Sequence, residues 1–204
     1  SFYDIFLAKY DNTGDWKWAK RAGGTGNDIA KGVAVSGTEV YITGKFSGTT
    51  NFNNPSATSS SDIISAGGDD IFLAKYDNLG AFQWAKRAGA GSTINDEASS
   101  VAVSGTEVYI TGKFSGTANF NTPSASSSGD ITSASSSNDI FLAKYDDTGD
   151  FKWAKRGGGN DNDEGKGVAI SGTEVYITGN FRGAANFNTP SAPGSNELTT
   201  SATS

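Results

Sequence analysis

Acid and amide side chains recur as pairs in three equivalent places, Asn27-Asp28, Asn95-Asp96 and Asn162-Asp163, each behind a glycine-bearing stretch and shortly before a Val-Ala-Val or Val-Ala-Ile run. Carboxylate and amide oxygens in such a loop are the donors that Ca²⁺ takes, about six to eight around one ion. The same residues also make Asx turns, in which the side chain bonds nearby backbone and sets up the next strand. No Asp-x-Asp-x-Asp ladder runs through the first two pairs, and Asp161, Asp163 and Glu164 come nearest, in the third. Turn chemistry is therefore the leading reading, and the six paired residues stand as the calcium candidates.

Two further sets repeat. Lys20-Arg21, Lys86-Arg87 and Lys155-Arg156 could grip an acidic polymer, or could lie on a rim and pair with the abundant Asp. Trp18, Trp84 and Trp153 occupy one recurring position, with Trp16 added in the first instance alone. Exposed, such rings stack on sugars; buried, they pack between layers. Their place mid-strand beside Ala predicts that they are mostly buried.

Catalysis has few means here. The chain has no His and no Cys, so the commonest general base and the thiolate nucleophile are both missing. Its Ser and Thr residues have no His to activate them. Every notable polar residue obeys the repeat, whereas an active site usually breaks one. We expect no enzyme. A formal charge of −6 argues against a non-specific grip on nucleic acid or an anionic membrane, and no apolar run approaches a membrane span. Without Cys there is also no disulfide framework.

The elements that carry these residues repeat three times. Asp-Ile-Phe-Leu-Ala-Lys-Tyr-Asp stands at Asp4–Asp11, Asp70–Asp77 and Asp139–Asp146, dividing the chain into copies 4–69, 70–138 and 139–204. Val33–Thr49 returns letter for letter as Val101–Thr117, and with few changes from Val168 to Gly183. Asn-Phe-Asn follows at Asn51, Asn119 and Asn186. Within a copy, Asp4–Tyr10 alternates Ile5 and Leu7 against Phe6, Ala8 and Tyr10, and Asp11–Gly14 supplies a turn. Trp16–Arg21 returns with Trp16 and Trp18 on one side. Val33–Ser36 and Glu39–Phe46 pair across Gly37-Thr38. Each copy thus holds about four strands, and no segment shows the 3.6-residue period of a helix.

Both faces of these strands are apolar, so each sheet must be covered from both sides. Stacked four-stranded blades satisfy that requirement. The predicted fold is all-β, with tandem four-stranded propeller-type blades in three repeats, part of a larger propeller, array or assembly. The Val33 and Glu39 hairpin is expected to join the Asp70 and Ala81 strands, with the next blade running from Val101 to Arg156. Three blades are too few to close a ring, which takes about four to eight. Half-blades with open edges should remain at each end, to be completed by further copies of the repeat in a longer chain or in other subunits.

The succession Asp-Ile-Phe-Leu-Ala-Lys-Tyr-Asp, Gly, Trp-Ala-Lys-Arg, Val-Ala-Val and Val-Tyr-Ile-Thr-Gly-Lys-Phe-Ser-Gly resembles the bacterial SBBP repeat over nearly the whole chain. That family takes its name from seven-bladed β-propellers and occurs in large surface and secreted proteins. The resemblance implies a fold and a location, secreted or cell-surface, and brings no general catalytic signature. The hairpin Asp11–Trp18 also resembles that of quinoprotein dehydrogenases, but their quinone pocket and acidic calcium ligands have no counterpart here. The function expected is a structural, adhesive or self-assembling surface module. A carbohydrate-binding module with repeated weak sites, gaining avidity on extracellular polysaccharide, is the alternative. No cofactor is expected beyond the candidate calcium.

Overall fold

The computed structural model describes residues 2–53, 62–91, 95–121, 129–187 and 197–200. The Ser-rich stretches Ser56–Ser65 and Ser124–Ser137 fall partly outside those residues, as does Asn188. The described chain is all-β. No helix in it is long and apolar enough to cross a membrane.

Alternating side chains and turn residues place the strands. The first copy gives β1 (Ile5–Tyr10), β2 (Trp16–Gly24), β3 (Ile29–Ser36), β4 (Glu39–Phe46), β5 (Thr49–Asn51) and β6 (Asp62–Ile64). The second gives β7 (Asp70–Asp77), β8 (Phe82–Ala90), β9 (Glu97–Ser104), β10 (Glu107–Phe114), β11 (Thr117–Asn119) and β12 (Asp130–Thr132). The third gives β13 (Asp139–Asp146), β14 (Phe151–Gly157), β15 (Glu164–Ser171), β16 (Glu174–Asn180), β17 (Ala184–Asn186) and β18 (Glu197–Thr199). Each copy carries two short strands beyond the four expected. Thr49-Thr50-Asn51 has no apolar alternation to announce the first of them.

The sheets ignore the boundaries of the sequence copies. Strand β4 pairs antiparallel with β7, from Glu39 opposite Asp77 to Phe46 opposite Asp70. Strand β10 pairs with β13 in the same register, Glu107 opposite Asp146 to Phe114 opposite Asp139. Two four-strand cores result, β3-β4-β7-β8 and β9-β10-β13-β14, each built half from one copy and half from the next. This is the half-copy shift expected from the sequence. The short pair β11-β12 extends the first core at the end of β8, and β5-β6 lies likewise against the end of β2.

Burial on both faces follows from stacking. Ile71 and Leu73 enter a cluster with Tyr41, Val101, Val108, Ile110 and Phe141. Their neighbours Phe72, Ala74 and Tyr76 enter another, with Ile5, Val40, Ile42, Phe46 and Phe52. One strand therefore seals two layers. Fully burying an apolar side chain is worth about 1.5–3 kcal/mol, so a central strand such as β7 draws stability from both sides.

The hairpin of β3 and β4 turns on Gly37 and Thr38, with Gly37 at φ 59°, a left-handed backbone that suits glycine. The β1–β2 pairing differs from the simple alternation. A register shift between Lys9 and Tyr10 sets Trp18 opposite Lys9 and Trp16 opposite Tyr10. The same bulge in the second copy sends Trp84 and Phe82 into different clusters. The position of Trp16 and that of Trp18 thus lie on opposite faces, not on one side, because the extra bulge residue reverses the alternation.

No ring closes within the described chain: β1 bonds only β2 along its length, and β16 bonds only β15.

Candidate functional site

The Asn-Asp pairs end up holding the fold together. Asp28, Asp96 and Asp163 are buried in the turn that precedes β3, β9 and β15 respectively. Asp96 Oδ2 accepts from the Ala90 amide at 2.7 Å and Oδ1 from the Ser115 amide at 3.0 Å. Asp163 does the same with Gly159 and Arg182, at 2.8 and 2.9 Å. Asp28 accepts from the Gly24 amide at 2.9 Å and from Thr50 Oγ1 at 2.6 Å. Each carboxylate ties the end of the second strand of its copy to the turn or strand that follows the fourth. The Asn partners act at the copy edge: Asn27, Asn95 and Asn162 present Oδ1 to the amides of Tyr3, Asp69 and Asn138, at 3.1, 3.0 and 3.0 Å.

These donors are backbone amides, with the Thr50 hydroxyl the one exception. Among the described residues no three acidic side chains gather where a metal could be held. The six residues take part in the turn bonding that the sequence also offered.

A second carboxylate stands beside each latch. Asp70 Oδ2 accepts from the Ala66 amide at 2.6 Å and pairs with Arg87 at 2.9 Å; Asp139 Oδ2 accepts from Ala134 at 2.8 Å and pairs with Arg156 at 2.8 Å. In the first copy Arg21 pairs with Asp4 at 2.7 Å. The arginine of each Lys-Arg dipeptide is thus matched to the Asp opening its own copy, and at Asp70 and Asp139 that partner is fully buried rather than on a rim. Asp70 Oδ1 and Asp139 Oδ1 are buried, with no hydrogen-bond partner among the described residues.

Burial dominates the titration of this set. It pushes the Asp96 carboxyl up to about 6, with the neighbouring Asp70 charge adding to the rise and the two amides opposing it. Asp28, Asp70 and Asp139 are raised for the same leading reason. A carboxyl raised when folded keeps a proton that the unfolded chain, near 3.9, releases. Its contribution to stability is therefore full below about 3.9 and is lost as pH climbs through about 6. For Asp96 the gap is worth on the order of 2–3 kcal/mol. We expect Asp96→Asn to flatten the pH dependence of stability between about pH 4 and 7 by roughly that amount relative to the parent, read from urea midpoints at both ends. Equal slopes for parent and variant would refute it.

The tryptophans join one copy to the next. Trp18 Nε1 donates to the Asn78 carbonyl at 3.2 Å, and Trp84 Nε1 to that of Asp147 at 3.2 Å. Lys9 and Lys75 reach the same two carbonyls, each at 3.0 Å. Those carbonyls belong to the turns Asp77–Gly80 and Asp146–Gly149, whose first Asp accepts from the backbone ahead of it and whose glycine has positive φ. A Cβ on Gly80 would lie 3.2 Å from Trp18 and 2.7 Å from Lys20; one on Gly149 would lie 3.1 Å from Trp84 and 2.6 Å from Lys86. Glycine lets the indole of one copy rest on the turn of the next. Edge-on contacts with tyrosine complete the join, Trp84 on Tyr41 and Trp153 on Tyr109. The three rings are half-buried, not mostly buried: β14 is an edge strand, and β5 and β11 pair only with Gly23-Gly24 and Gly89-Ala90, past the tryptophans of β2 and β8.

No family model and no curated protein matches this chain.

Sequence reasoning missed Tyr76 and Tyr145. Their hydroxyls donate to the carbonyls of Phe52 and Phe120, at 2.7 and 2.8 Å, across copies. Burial raises both phenols. The only signal was a tyrosine recurring where an apolar residue would have sufficed.

Proposed function

We propose that this chain is a non-catalytic structural module of propeller-type blades, acting outside the cell or on its surface as a scaffold, adhesive or self-assembling element. One observation carries the reading. Two sets of polar side chains that recur in all three copies bond within their own copy: Asp28, Asp96 and Asp163 to backbone amides, Arg21, Arg87 and Arg156 to the Asp that opens each copy. Groups so engaged hold a shape and have little left for substrate. The propeller form is supported by two four-strand antiparallel cores stacked face to face in a half-copy shift. The SBBP resemblance supports the extracellular setting.

A carbohydrate-binding module is the second reading, favoured by the exposure of Trp16. A glycan array and a panel of glycoside, ester and redox substrates separate the two. The scaffold reading expects no selective glycan and no turnover. Selective retention of one sugar class that disappears in Trp16→Ala would favour the second reading, and turnover abolished by a single carboxylate change would overturn both.

A further inference from the structure

We propose that two buried carboxyl pairs, Asp70 with Asp96 and Asp139 with Asp163, each hold one shared proton, which completes the clasp tying Ala90 to Ser115 and Gly159 to Arg182. The clasp is closed in acid and loosened when the proton leaves. This device goes beyond the scaffold reading and does not depend on it.

Three of the four oxygens in the first pair are engaged as acceptors. Asp96 Oδ2 takes the Ala90 amide and Oδ1 the Ser115 amide, while Asp70 Oδ2 takes the Ala66 amide and Arg87. The fourth, Asp70 Oδ1, is buried with no hydrogen-bond partner among the described residues. Asp139 repeats the arrangement: Oδ2 takes Ala134 and Arg156, Oδ1 is the orphan, and both oxygens of Asp163 accept backbone amides. A buried carboxylate oxygen without a donor is costly, and its recurrence at the same atom in two copies argues for an occupant. The orphan meets its neighbour beside a glycine. A Cβ on Gly89 would lie 2.4 Å from Asp70 Oδ1 and 3.1 Å from Asp96 Oδ2; one on Gly158 would lie 3.0 Å from Asp139 Oδ1 and 2.8 Å from Asp163 Oδ2. The backbone holds the acids there, since the Asp96 amide donates to the Asp69 carbonyl and the Asp163 amide to that of Asn138, each at 2.8 Å. All four residues are at most 1 % exposed.

Charge gives the occupant its sign. Two carboxylates face one guanidinium at each site, Arg87 at the first and Arg156 at the second. The other charges close by are paired among themselves: Asp69 with Lys45, and Glu97 with Lys31 and Lys45. At the second site Glu164 pairs with Lys113 and Lys166, and Asp161 with Arg182. A proton on Asp70 Oδ1 cancels the excess charge and turns the orphan acceptor into a donor toward Asp96 Oδ2. Two carboxylates in one site disfavour each other's ionisation, and the proton belongs to the pair rather than to either residue. Burial, with the neighbouring carboxylate adding to it, pushes Asp96 up to about 6 and also raises Asp139. The clasp is therefore intact in acid and weakens as pH climbs through about 6, when like charges meet behind the Ala90 and Ser115 amides.

Site-resolved hydrogen exchange and carboxyl-carbon NMR on the whole chain test this. Between about pH 5 and 8, protection of the Ala90, Ser115, Gly159 and Arg182 amides, corrected for intrinsic exchange, should fall about tenfold or more. Asp70→Asn offers an oxygen to Ala66 and Arg87 and an N–H to Asp96, the protonated pattern at every pH. It should abolish the fall at Ala90 and Ser115 and leave the fall at Gly159 and Arg182; Asp139→Asn should do the reverse. If either variant fails to fold, the parent's carboxyl carbons decide, since those of Asp70 and Asp96 should shift together as one proton leaves above about pH 5. Both acids already ionised at that pH would overturn the inference, as would an undiminished fall at Ala90 and Ser115 in Asp70→Asn. A loss of protection at fixed pH on chelating Ca²⁺ would overturn it too, giving the site to a metal cation. None of these failures touches the glycan and turnover results, so the scaffold reading stands or falls separately.

Discussion

Replacing Phe141 by Ala is expected to lower the unfolding free energy by about 3–5 kcal/mol. The ring is fully buried between two sheets, 4.9 Å from Phe120, in the larger of the two apolar clusters among the described residues. Such a loss is a large share of the roughly 5–15 kcal/mol that holds a typical domain. The same substitution at Phe6, identical in local sequence, should change stability by less than about 0.5 kcal/mol in the dilute single chain, because that ring faces solvent. Denaturant midpoints followed by tryptophan fluorescence measure both. Equal losses at the two positions would mean that the stacked layers do not form as described.

Gly89→Ala is the second large effect. Gly89 has φ 147°, and a Cβ there would lie 2.4 Å from Asp70 Oδ1 and 3.1 Å from Asp96 Oδ2. The methyl group would have to displace two buried carboxylates as well as adopt a strained backbone, at a cost of about 3 kcal/mol or more. Gly37→Ala is the control. It shares a positive φ but meets nothing within 4 Å, so only the backbone term remains, about 1 kcal/mol. Thermal or urea unfolding of the two variants should differ clearly. A Gly89→Ala chain as stable as Gly37→Ala would show that Asp70 and Asp96 do not meet at that glycine.

Much of the fold was legible because the repeat carries its own register. Glu39–Phe46 and Asp70–Asp77 are both apolar on both faces, so each needs a neighbour as well as two covering layers, and pairing them across the copy boundary meets all three needs. The Gly37-Thr38 hairpin was equally plain. The short strand Thr49–Asn51 was not, since three polar residues have no period to read. The bulge at Lys9 and Tyr10 was also silent, and it alone decides which face Trp16 takes. At the candidate site the sequence offered Asn27-Asp28 as either turn or calcium chemistry. The structure shows the turn role, in which Asp28 accepts from the nearby Gly24 amide and from the Thr50 hydroxyl, 22 residues along the chain.

Native-state hydrogen exchange resolved to single strands tests most directly the central claim, that neighbouring copies build each sheet jointly. The expected result is that β4 exchanges together with β7, and β10 together with β13, as two cooperative units that straddle residues 69–70 and 138–139 and are the slowest in the chain. Amides on β1 and β16 that face away from their single partner strand should exchange fast. Protection in blocks matching 4–69, 70–138 and 139–204, with β4 and β7 opening independently, would contradict it.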